Sequence, residues 1–270
     1  MANNIDIVNK EKIDNFDFNP KNLFVVADFD KTLTRGDSES TWWILSKADN
    51  MGADYKEKRT ALFEKYRPIE IDETLPIDIK SQKMDEWWKC HIGLFYEYGL
   101  KEEFIKNAVN KNLLAYRDGA KEFLNKMYNL DIPVIIISAG IGNVISEFLV
   151  KEGDYYPNIH IISNTIEFEN GIIKWFKGKI IHSLNKDIVH WDEKILKILN
   201  ERKNILLFGD SVADTKMIPH DKEKDALKFG FLDHKIKENL EFYKQVYDVV
   251  IKDEGSFDYV LNKLDAEMFI

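Results

Sequence analysis

The sequence predicts an α/β fold in which a parallel β-sheet forms the core and a helical segment is inserted after the first strand. Short apolar runs of strand length recur along the chain, each followed by residues suited to a turn or a binding loop. Residues 37–115 instead show helical periodicity, many charges and a concentration of aromatic side chains. Polar side chains follow the apolar runs, at the strand ends where open α/β sheets bind ligands.

The composition limits the class of protein. A chain of 270 residues with 44% hydrophobic and 31% charged residues suits one large domain, or a domain plus an insertion. The net charge of -9 argues against a general binder of nucleic-acid polymers, which presents a basic surface. The single cysteine, Cys90, excludes an intrachain disulfide and a cysteine-only metal cluster. Without a membrane-length apolar stretch or a signal-peptide pattern, we expect a cytoplasmic protein with no membrane partner.

The first apolar run, Leu23–Ala27, is typical of a buried parallel strand. Asp28 and Asp30 follow it directly within an Asp-x-Asp-x-Thr motif. Two carboxylates at this place can serve as a nucleophile and a proton donor, and their oxygens can bind a hard cation. Taken alone, the motif is equally compatible with an aspartate-rich turn.

The rest of the core is predicted in the same way. Further strands are expected at 132–138, 205–210 and 247–251, and an amphipathic helix at 119–130. Residues 161–176 alternate as strands do, with a hairpin turn at Asn170-Gly171. The clearest helical stretches of the insertion are 60–66, 84–98 and 102–113.

Three later loops can take part in phosphate chemistry. Ser138 ends the second strand and is followed by Gly140 and Gly142, so that its hydroxyl and nearby backbone amides can bind an anion at a helix start. A strand-to-helix turn that needs glycine only for its geometry is the alternative. Either Lys179 or Lys186 can neutralise phosphoryl oxygens by residue type, although a single lysine is usually a solvated surface residue.

The fourth strand-end motif is a Gly-Asp-Ser sequence with a second aspartate one helical turn later. Asp210 can bind a cation directly, and Asp214 can support it as an inner or outer ligand. An ordinary capped helix start is the alternative interpretation. No part of the sequence has zinc-ligand spacing.

The four motifs in this order resemble those of the haloacid dehalogenase-like phosphohydrolases, from Leu23 to the C-terminus. This resemblance implies a Rossmann-like parallel-sheet core formed by residues 1–36 and 116–270. It also implies a helical cap domain, residues 37–115, that closes over the core and selects the substrate.

A closer resemblance is to the pyrimidine 5′-nucleotidases of the cytosolic type III family. It rests on Ser138-Ala139-Gly140 within segment 137–144, and on the segments 65–72, 86–91, 168–171, 176–182, 185–186, 231–233 and 247–252. The region 35–55 departs from the family pattern, as do Ala213 and residues 217–220.

The resemblance implies a role for each motif residue. Asp28 is implied as the nucleophile that becomes an aspartyl phosphate, and Asp30 as the general acid and then base. The implied phosphate-binding residues are Ser138, Ala139, Gly140 and Lys186. Mg²⁺ is the implied cofactor, held by Asp28, the backbone carbonyl of Asp30, and Asp210, with Asp214 in support. The implied contacts to a nucleobase are Glu86, Trp87, Trp88 and His91, although cap tryptophans are more often core fillers.

We therefore expect a Mg²⁺-dependent phosphohydrolase that acts on a small phosphorylated substrate, a nucleoside 5′-monophosphate with a pyrimidine base. Three alternatives remain open at this stage. The substrate can be another small phosphomonoester such as phosphoserine, or the phosphoryl group can pass to a nucleoside instead of water. A protein without catalytic activity on the same fold is also possible, because fold alone does not determine function.

Overall fold

The computed structural model describes residues 4–47, 51–72, 74–188 and 193–268. Within these residues one sheet contains eight strands, in the order β1-β8-β7-β6-β2-β3-β4-β5. The six central strands run parallel, and β1 and β5 are antiparallel at the two edges. The strands are β1 (Ile5–Ile7), β2 (Leu23–Ala27), β3 (Val134–Ile141), β4 (Ile159–Glu169), β5 (Ile172–Lys177), β6 (Asn204–Gly209), β7 (Ala226–Leu232) and β8 (Val249–Lys252).

The sheet carries helices on both faces, and the predicted α/β class with a mostly parallel sheet is confirmed. No helix in the described part of the chain is both long and apolar enough to cross a membrane. The helices are α1 (Lys10–Asp14), α2 (Thr41–Lys47), α3 (Gly52–Ile71), α4 (Ile77–Glu97), α5 (Glu102–Val109), α6 (Ala120–Asn129), α7 (Gly142–Glu152), α8 (Glu193–Glu201), α9 (Ile236–Val246) and α10 (Asp258–Met268).

Strand β2 lies at the centre of the sheet and is buried on both faces. Val25 packs into the hydrophobic cluster on one face, whereas Phe24 and Val26 pack into the cluster on the other. An uninterrupted apolar run is what a strand covered on both faces requires. Because β2 pairs with β3 on one side and β6 on the other, its C-terminal end lies between theirs. The polar residues that follow these three strands are therefore brought together.

The structure differs from the predicted strands in two places. Strands β1 and β7 were not predicted, and β7 is buried along its whole length. Lys228 and Gly230 interrupt the apolar pattern of β7, which explains why a periodicity argument overlooks it. The hairpin between β4 and β5 is present, with φ of 53° at Asn170 and 77° at Gly171, as a tight primed turn requires.

Helices α2, α3, α4 and α5 all come from the chain between β2 and β3, and the described residues of that insertion form no strand. An isolated antiparallel bridge joins Thr34 to Tyr116 where the chain leaves and re-enters the sheet. The division into a core of residues 1–36 and 116–270 and a cap of residues 37–115 stays a prediction.

Candidate active site

Lys186 joins two of the predicted carboxylates beyond the end of β2. Its Nζ donates hydrogen bonds of 2.6 Å to Asp28 Oδ1 and of 2.6 Å to Asp214 Oδ1. All three residues are buried. Lys179, the other lysine considered, is exposed. The structure therefore brings Lys186, and not Lys179, to the carboxylates.

Burial and like charges shift the ionisation of this cluster. Burial, opposed by the charge of Lys186 and aided by the nearby carboxylate of Asp214, raises the pKa of Asp28 to about 7. Burial also raises the pKa of Asp210 well above its usual range, together with the charges of Asp214 and Asp28. For Lys186, burial alone would lower the pKa, but the charges of Asp214 and Asp28 raise it above its ordinary value. Lys186 is therefore a permanent cation in the cluster.

Asp30 is held by the first residue of α2, which sequence reasoning overlooked. Thr41 donates from its backbone N to Asp30 Oδ1 at 3.0 Å, and from Oγ1 to Asp30 Oδ2 at 2.9 Å. Burial raises the pKa of Asp30 to about 6, although the two hydrogen bonds from Thr41 act in the opposite direction. A carboxyl group with this pKa exchanges its proton near neutral pH, as a general acid and base must.

The C-terminal end of β3 approaches Asp30 closely. The backbone N of Gly140 donates to Ser138 Oγ at 3.0 Å, and the N of Ile141 donates to Thr41 Oγ1 at 3.1 Å. A Cβ atom at residue 140 would overlap the Thr41 hydroxyl and lie 3.1 Å from Asp30 Oδ2. Glycine is needed here for the close approach of two segments. Segment 138–141, called the phosphate loop after its predicted role, therefore lies beside the predicted acid.

Two buried asparagines hold in place the phosphate loop and the loop that carries Lys186. Asn164 Nδ2 donates to the carbonyl oxygens of Ala139 at 2.8 Å and Ile181 at 2.7 Å. Asn185, the residue before Lys186, donates from Nδ2 to the Ile180 carbonyl at 3.0 Å. Their sequence signal is weak, because asparagine is common in turns and its partners are distant in the chain.

Asp28, Asp210 and Asp214 form a possible metal site, with one carboxylate oxygen from each lying within 4.8 Å of the others. Such oxygens are the ligands that hard divalent cations prefer. Asp214 Oδ2 already accepts hydrogen bonds from Ser211 N and Oγ, both at 2.9 Å. Since its Oδ1 accepts from Lys186, Asp214 suits a supporting role, while Asp28 and Asp210 retain oxygens for a cation.

Two indole groups from the cap helices contact the phosphate loop. Trp42 Nε1 donates to the Ala139 carbonyl at 2.7 Å, and Trp88 Nε1 reaches the same oxygen at 3.3 Å. Trp88 is partly exposed, whereas Trp42 is buried. Of the four predicted base-contacting residues, Trp88 is the one whose side chain the structure shows in contact with this loop.

The other three have different surroundings. Trp87 is buried in a small cluster with Tyr66 and Met84. Glu86 is on the cap surface, where it accepts hydrogen bonds of 2.6 Å from Tyr66 and 2.7 Å from Lys83. His91 is buried and stacks on Trp42, with the two ring centroids 5.0 Å apart.

The cap also contacts the loop that carries Lys186. Ser183 Oγ donates to Glu70 Oε1 at 2.8 Å. His182 Nε2 lies 3.5 Å from Asp85 Oδ1, and the histidine is fully buried. The candidate catalytic residues thus lie between the C-terminal ends of the parallel strands and helices α2, α3 and α4.

Comparisons with known proteins identify the family of the chain. The model of the pyrimidine 5′-nucleotidase (UMPH-1) family matches residues 30–267. A 7-methylguanosine phosphate-specific 5′-nucleotidase A of Xenopus laevis is 35% identical over 246 residues, covering 88% of this chain and 85% of that protein.

Solved structures show the same relationship. The crystal structure of cytosolic 5′-nucleotidase IIIB bound to cytidine matches with a TM-score of 0.89 at 27% identity, covering 100% of this chain and 95% of that one. A substrate-bound phosphoserine phosphatase matches with a TM-score of 0.56 at 19% identity, covering 90% of this chain and 97% of that one, and this likeness concerns the fold alone. The fold is thus that of the haloacid dehalogenase-like hydrolases, and the chain belongs to the pyrimidine 5′-nucleotidase (UMPH-1) family of phosphoric monoester hydrolases.

Proposed function

We propose that the protein is a Mg²⁺-dependent phosphohydrolase that removes phosphate from nucleoside 5′-monophosphates through an aspartyl phosphate on Asp28. The observation that carries this proposal is the convergence of Asp28, Asp30 and Lys186 beside the phosphate loop, 138–141. A nucleophile, an acid and a fixed positive charge are what phosphoryl transfer to a protein side chain needs. Family membership supports the same reaction.

In the first step a carboxylate oxygen of Asp28 attacks phosphorus, and the bond from phosphorus to O5′ of the nucleotide breaks. Asp30 donates its proton to the departing O5′, so that the nucleoside leaves as an alcohol. In the second step Asp30 takes a proton from water as the water oxygen attacks phosphorus. The phosphorus bond to Asp28 breaks, and inorganic phosphate and the original carboxylate are released. Lys186 neutralises charge on the phosphoryl oxygens, and its charge favours the ionised form of Asp28.

The donor set fits Mg²⁺. Asp28 and Asp210 would hold the ion together with the backbone carbonyl of Asp30. Asp214 would support the site by accepting a hydrogen bond from the backbone N of Asp210. When bound, the cation supplies positive charge that offsets the charge of the phosphoryl group. The clustered carboxylates with raised pKa values support a cation site, because one lysine balances only part of their charge.

We propose a pyrimidine base for the substrate. The description of the matching family and the cytidine bound in the similar crystal structure support it. The relative from Xenopus laevis favours 7-methylguanosine monophosphate as a second candidate. The proposal includes a cytoplasmic location, which a chain with one cysteine and no possible intrachain disulfide supports.

A substrate panel with purified protein and Mg²⁺ tests the proposal. We expect kcat/KM for UMP or CMP to exceed the values for phosphoserine, sugar phosphates and p-nitrophenyl phosphate. A preference for phosphoserine would overturn the nucleotidase assignment and leave the phosphatase assignment intact. Formation of a new nucleotide when a second nucleoside is added would instead indicate phosphotransfer.

A further inference from the structure

Arg117 is a buried cation whose hydrogen-bond donors are all used. Nη2 donates to Asp233 Oδ2 at 2.6 Å and to the carbonyl oxygen of Lys31 at 2.5 Å. Nε donates to the carbonyl oxygen of Thr32 at 3.0 Å. Nη1 donates to the carbonyl oxygen of Gly255 at 3.1 Å and to Asp233 Oδ1 at 3.4 Å. A guanidinium has one N–H group for each of these contacts, whereas the three donors of a lysine share a single nitrogen.

Two of these carbonyls belong to the turn Phe29–Leu33, which we call the aspartate turn because it carries Asp30. Lys31, the residue after Asp30, has a φ of 66°, a left-handed conformation that costs free energy for a residue with a side chain. Its backbone N donates to Thr34 Oγ1 at 2.7 Å, and its carbonyl oxygen accepts from Arg117. A strained turn of this kind persists only when surrounding contacts hold it, and Arg117 supplies such contacts from a distant part of the chain.

Arg117 lies where the chain returns from the helical insertion to the sheet. The preceding residue, Tyr116, forms the isolated bridge with Thr34. The acidic partner of the guanidinium, Asp233, directly follows β7. The guanidinium carbon also lies 4.1 Å from the centre of the Phe231 ring, within the same strand. The C-terminal end of β7 therefore holds the guanidinium against the aspartate turn.

The two proposed catalytic carboxylates depend on the aspartate turn to different degrees. Asp28 lies before it, directly after β2, and its backbone N donates to the Phe208 carbonyl of β6 at 3.0 Å. The side chain of Asp28 is also held by Lys186. Asp30 lies within the turn, and its side chain accepts hydrogen bonds from Thr41. The sheet thus fixes Asp28, whereas a shift of the turn would displace the backbone of Asp30.

We propose that Arg117 is a positioning residue that acts through the aspartate turn and fixes the backbone that carries Asp30. This inference rests on the proposed function, in which Asp30 protonates the departing O5′ and later takes a proton from water. Displacing a catalytic group by about 1 Å can cost about a hundredfold in rate. Loss of Arg117 should therefore slow the steps that need Asp30 more than the attack by Asp28.

Kinetics of wild type, Arg117→Met and Arg117→Lys test the proposal with two substrates. Arg117→Met should lower kcat for UMP about a hundredfold and leave KM within about threefold of wild type. p-Nitrophenolate leaves without needing a proton, so this variant should still form the aspartyl phosphate from p-nitrophenyl phosphate but hydrolyse it slowly. The ratio of the burst rate to the steady rate of p-nitrophenolate release should rise at least about tenfold. Arg117→Lys keeps the charge beside Asp233 but loses the fork of donors, so the ratio should rise in it as well.

Arg202→Met is the matched control, because Arg202 also donates to backbone carbonyls, but at the N-terminal end of β2. Its Nη1 donates to the carbonyl oxygens of Leu23 at 2.9 Å and Pro20 at 2.5 Å. Loss of these contacts should lower the melting temperature. It should leave kcat for UMP and the burst ratio unchanged, because that end of the strand is far from the aspartate turn.

A purely structural role for Arg117 would lower the melting temperature or the number of active sites, without changing kcat per active site or the burst ratio. That result in Arg117→Met would overturn the inference, as would a fall of both phases by the same factor. If Arg117→Met does not fold, an unchanged ratio in Arg117→Lys overturns it. A wild type that traps no phosphate on the protein after acid quenching would instead refute the proposed aspartyl-phosphate reaction, and the inference with it.

Discussion

Thr41 donates two hydrogen bonds to Asp30, one from its backbone N to Oδ1 at 3.0 Å and one from Oγ1 to Oδ2 at 2.9 Å. The same hydroxyl oxygen accepts a hydrogen bond from the backbone N of Ile141. Thr41 is the first residue of α2, within the helical insertion. One residue of the insertion therefore joins the proposed acid to the phosphate loop.

Replacing Thr41 by valine tests this coupling. Thr41→Val keeps the shape of the side chain but removes the hydroxyl donor, so we expect kcat for UMP to fall about tenfold to a hundredfold. In wild type this hydrogen bond lowers the pKa of Asp30, so its removal should raise that pKa. The alkaline decline of the pH–rate profile should therefore move to higher pH. Thr41→Ser retains the hydroxyl and serves as the control. Equal pH profiles for the two variants would show that the hydroxyl does not act on Asp30.

Asp28→Asn tests the nucleophile. The amide has nearly the same shape but is a far weaker nucleophile, so kcat should fall by at least about a thousandfold. Acid quenching of wild type with labelled substrate should trap phosphate on the protein, and the variant should trap none. Asp187→Asn, at an exposed position beside Lys186, should keep its activity. Substantial turnover by Asp28→Asn would remove Asp28 from this role.

Asp30→Asn separates the two steps of the reaction. p-Nitrophenolate leaves without needing a proton, so the variant should still form the aspartyl phosphate from p-nitrophenyl phosphate. It should then hydrolyse that intermediate at least about a hundredfold more slowly, because the base is missing. The expected result is a burst of p-nitrophenolate equal to the number of active sites, followed by slow turnover. A linear time course at the wild-type rate would contradict the assignment.

The carboxylate cluster predicts how stability depends on pH and metal. The pKa values of Asp28, Asp30 and Asp210 are raised on folding, to about 7 and about 6 for the first two. Each contributes stability that is complete below the unfolded value near 3.8 and is lost as pH rises through the folded pKa. The melting temperature of chelator-treated protein should therefore fall between pH 4 and about pH 7.

Asp210→Asn removes one of these charges. In chelator at pH 7.5 it should raise the melting temperature by at least about 2 °C, and it should abolish the further rise that Mg²⁺ gives wild type. Asp221→Asn, at an exposed position, should do neither. Activity of wild type should disappear in chelator and return with Mg²⁺. Full activity in chelator would contradict the metal proposal.

The two neighbouring tryptophans of α4 should respond differently to truncation. Trp88→Ala should raise KM for UMP by about one to two decades, the effect of losing a base-stacking ring. Its activity on p-nitrophenyl phosphate should change much less. Trp87→Ala should instead lower the free energy of unfolding by about 3–5 kcal/mol, because the Trp87 ring is packed in the cap core. Equal losses of both activities in Trp88→Ala would assign Trp88 to the cap core as well.

The sequence alone was sufficient to predict the fold class and the family. An apolar run buried on both faces needs no distant information to be recognised, and parallel strands place their C-terminal ends at one edge. The α/β fold and the family were therefore predictable from Asp28, Ser138, Asp210 and their flanking strands. Strand β7 was overlooked because Lys228 and Gly230 break its apolar pattern, while its neighbours in the sheet bury it.

Tertiary structure decided what spacing cannot encode. Lys179 and Lys186 are the same residue type in one loop, and only the fold of 180–186, held by Asn185, shows which ammonium group reaches Asp28. Adjacent residues of α4 point in different directions, so Trp87 fills the cap while Trp88 reaches Ala139. The hydrogen-bond partners of Thr41 were equally invisible to sequence reasoning, because Asp30 and Ile141 lie on other segments of the chain. Local pattern identified the candidate groups at the strand ends, and long-range packing determined how each side chain is oriented and how its pKa is shifted.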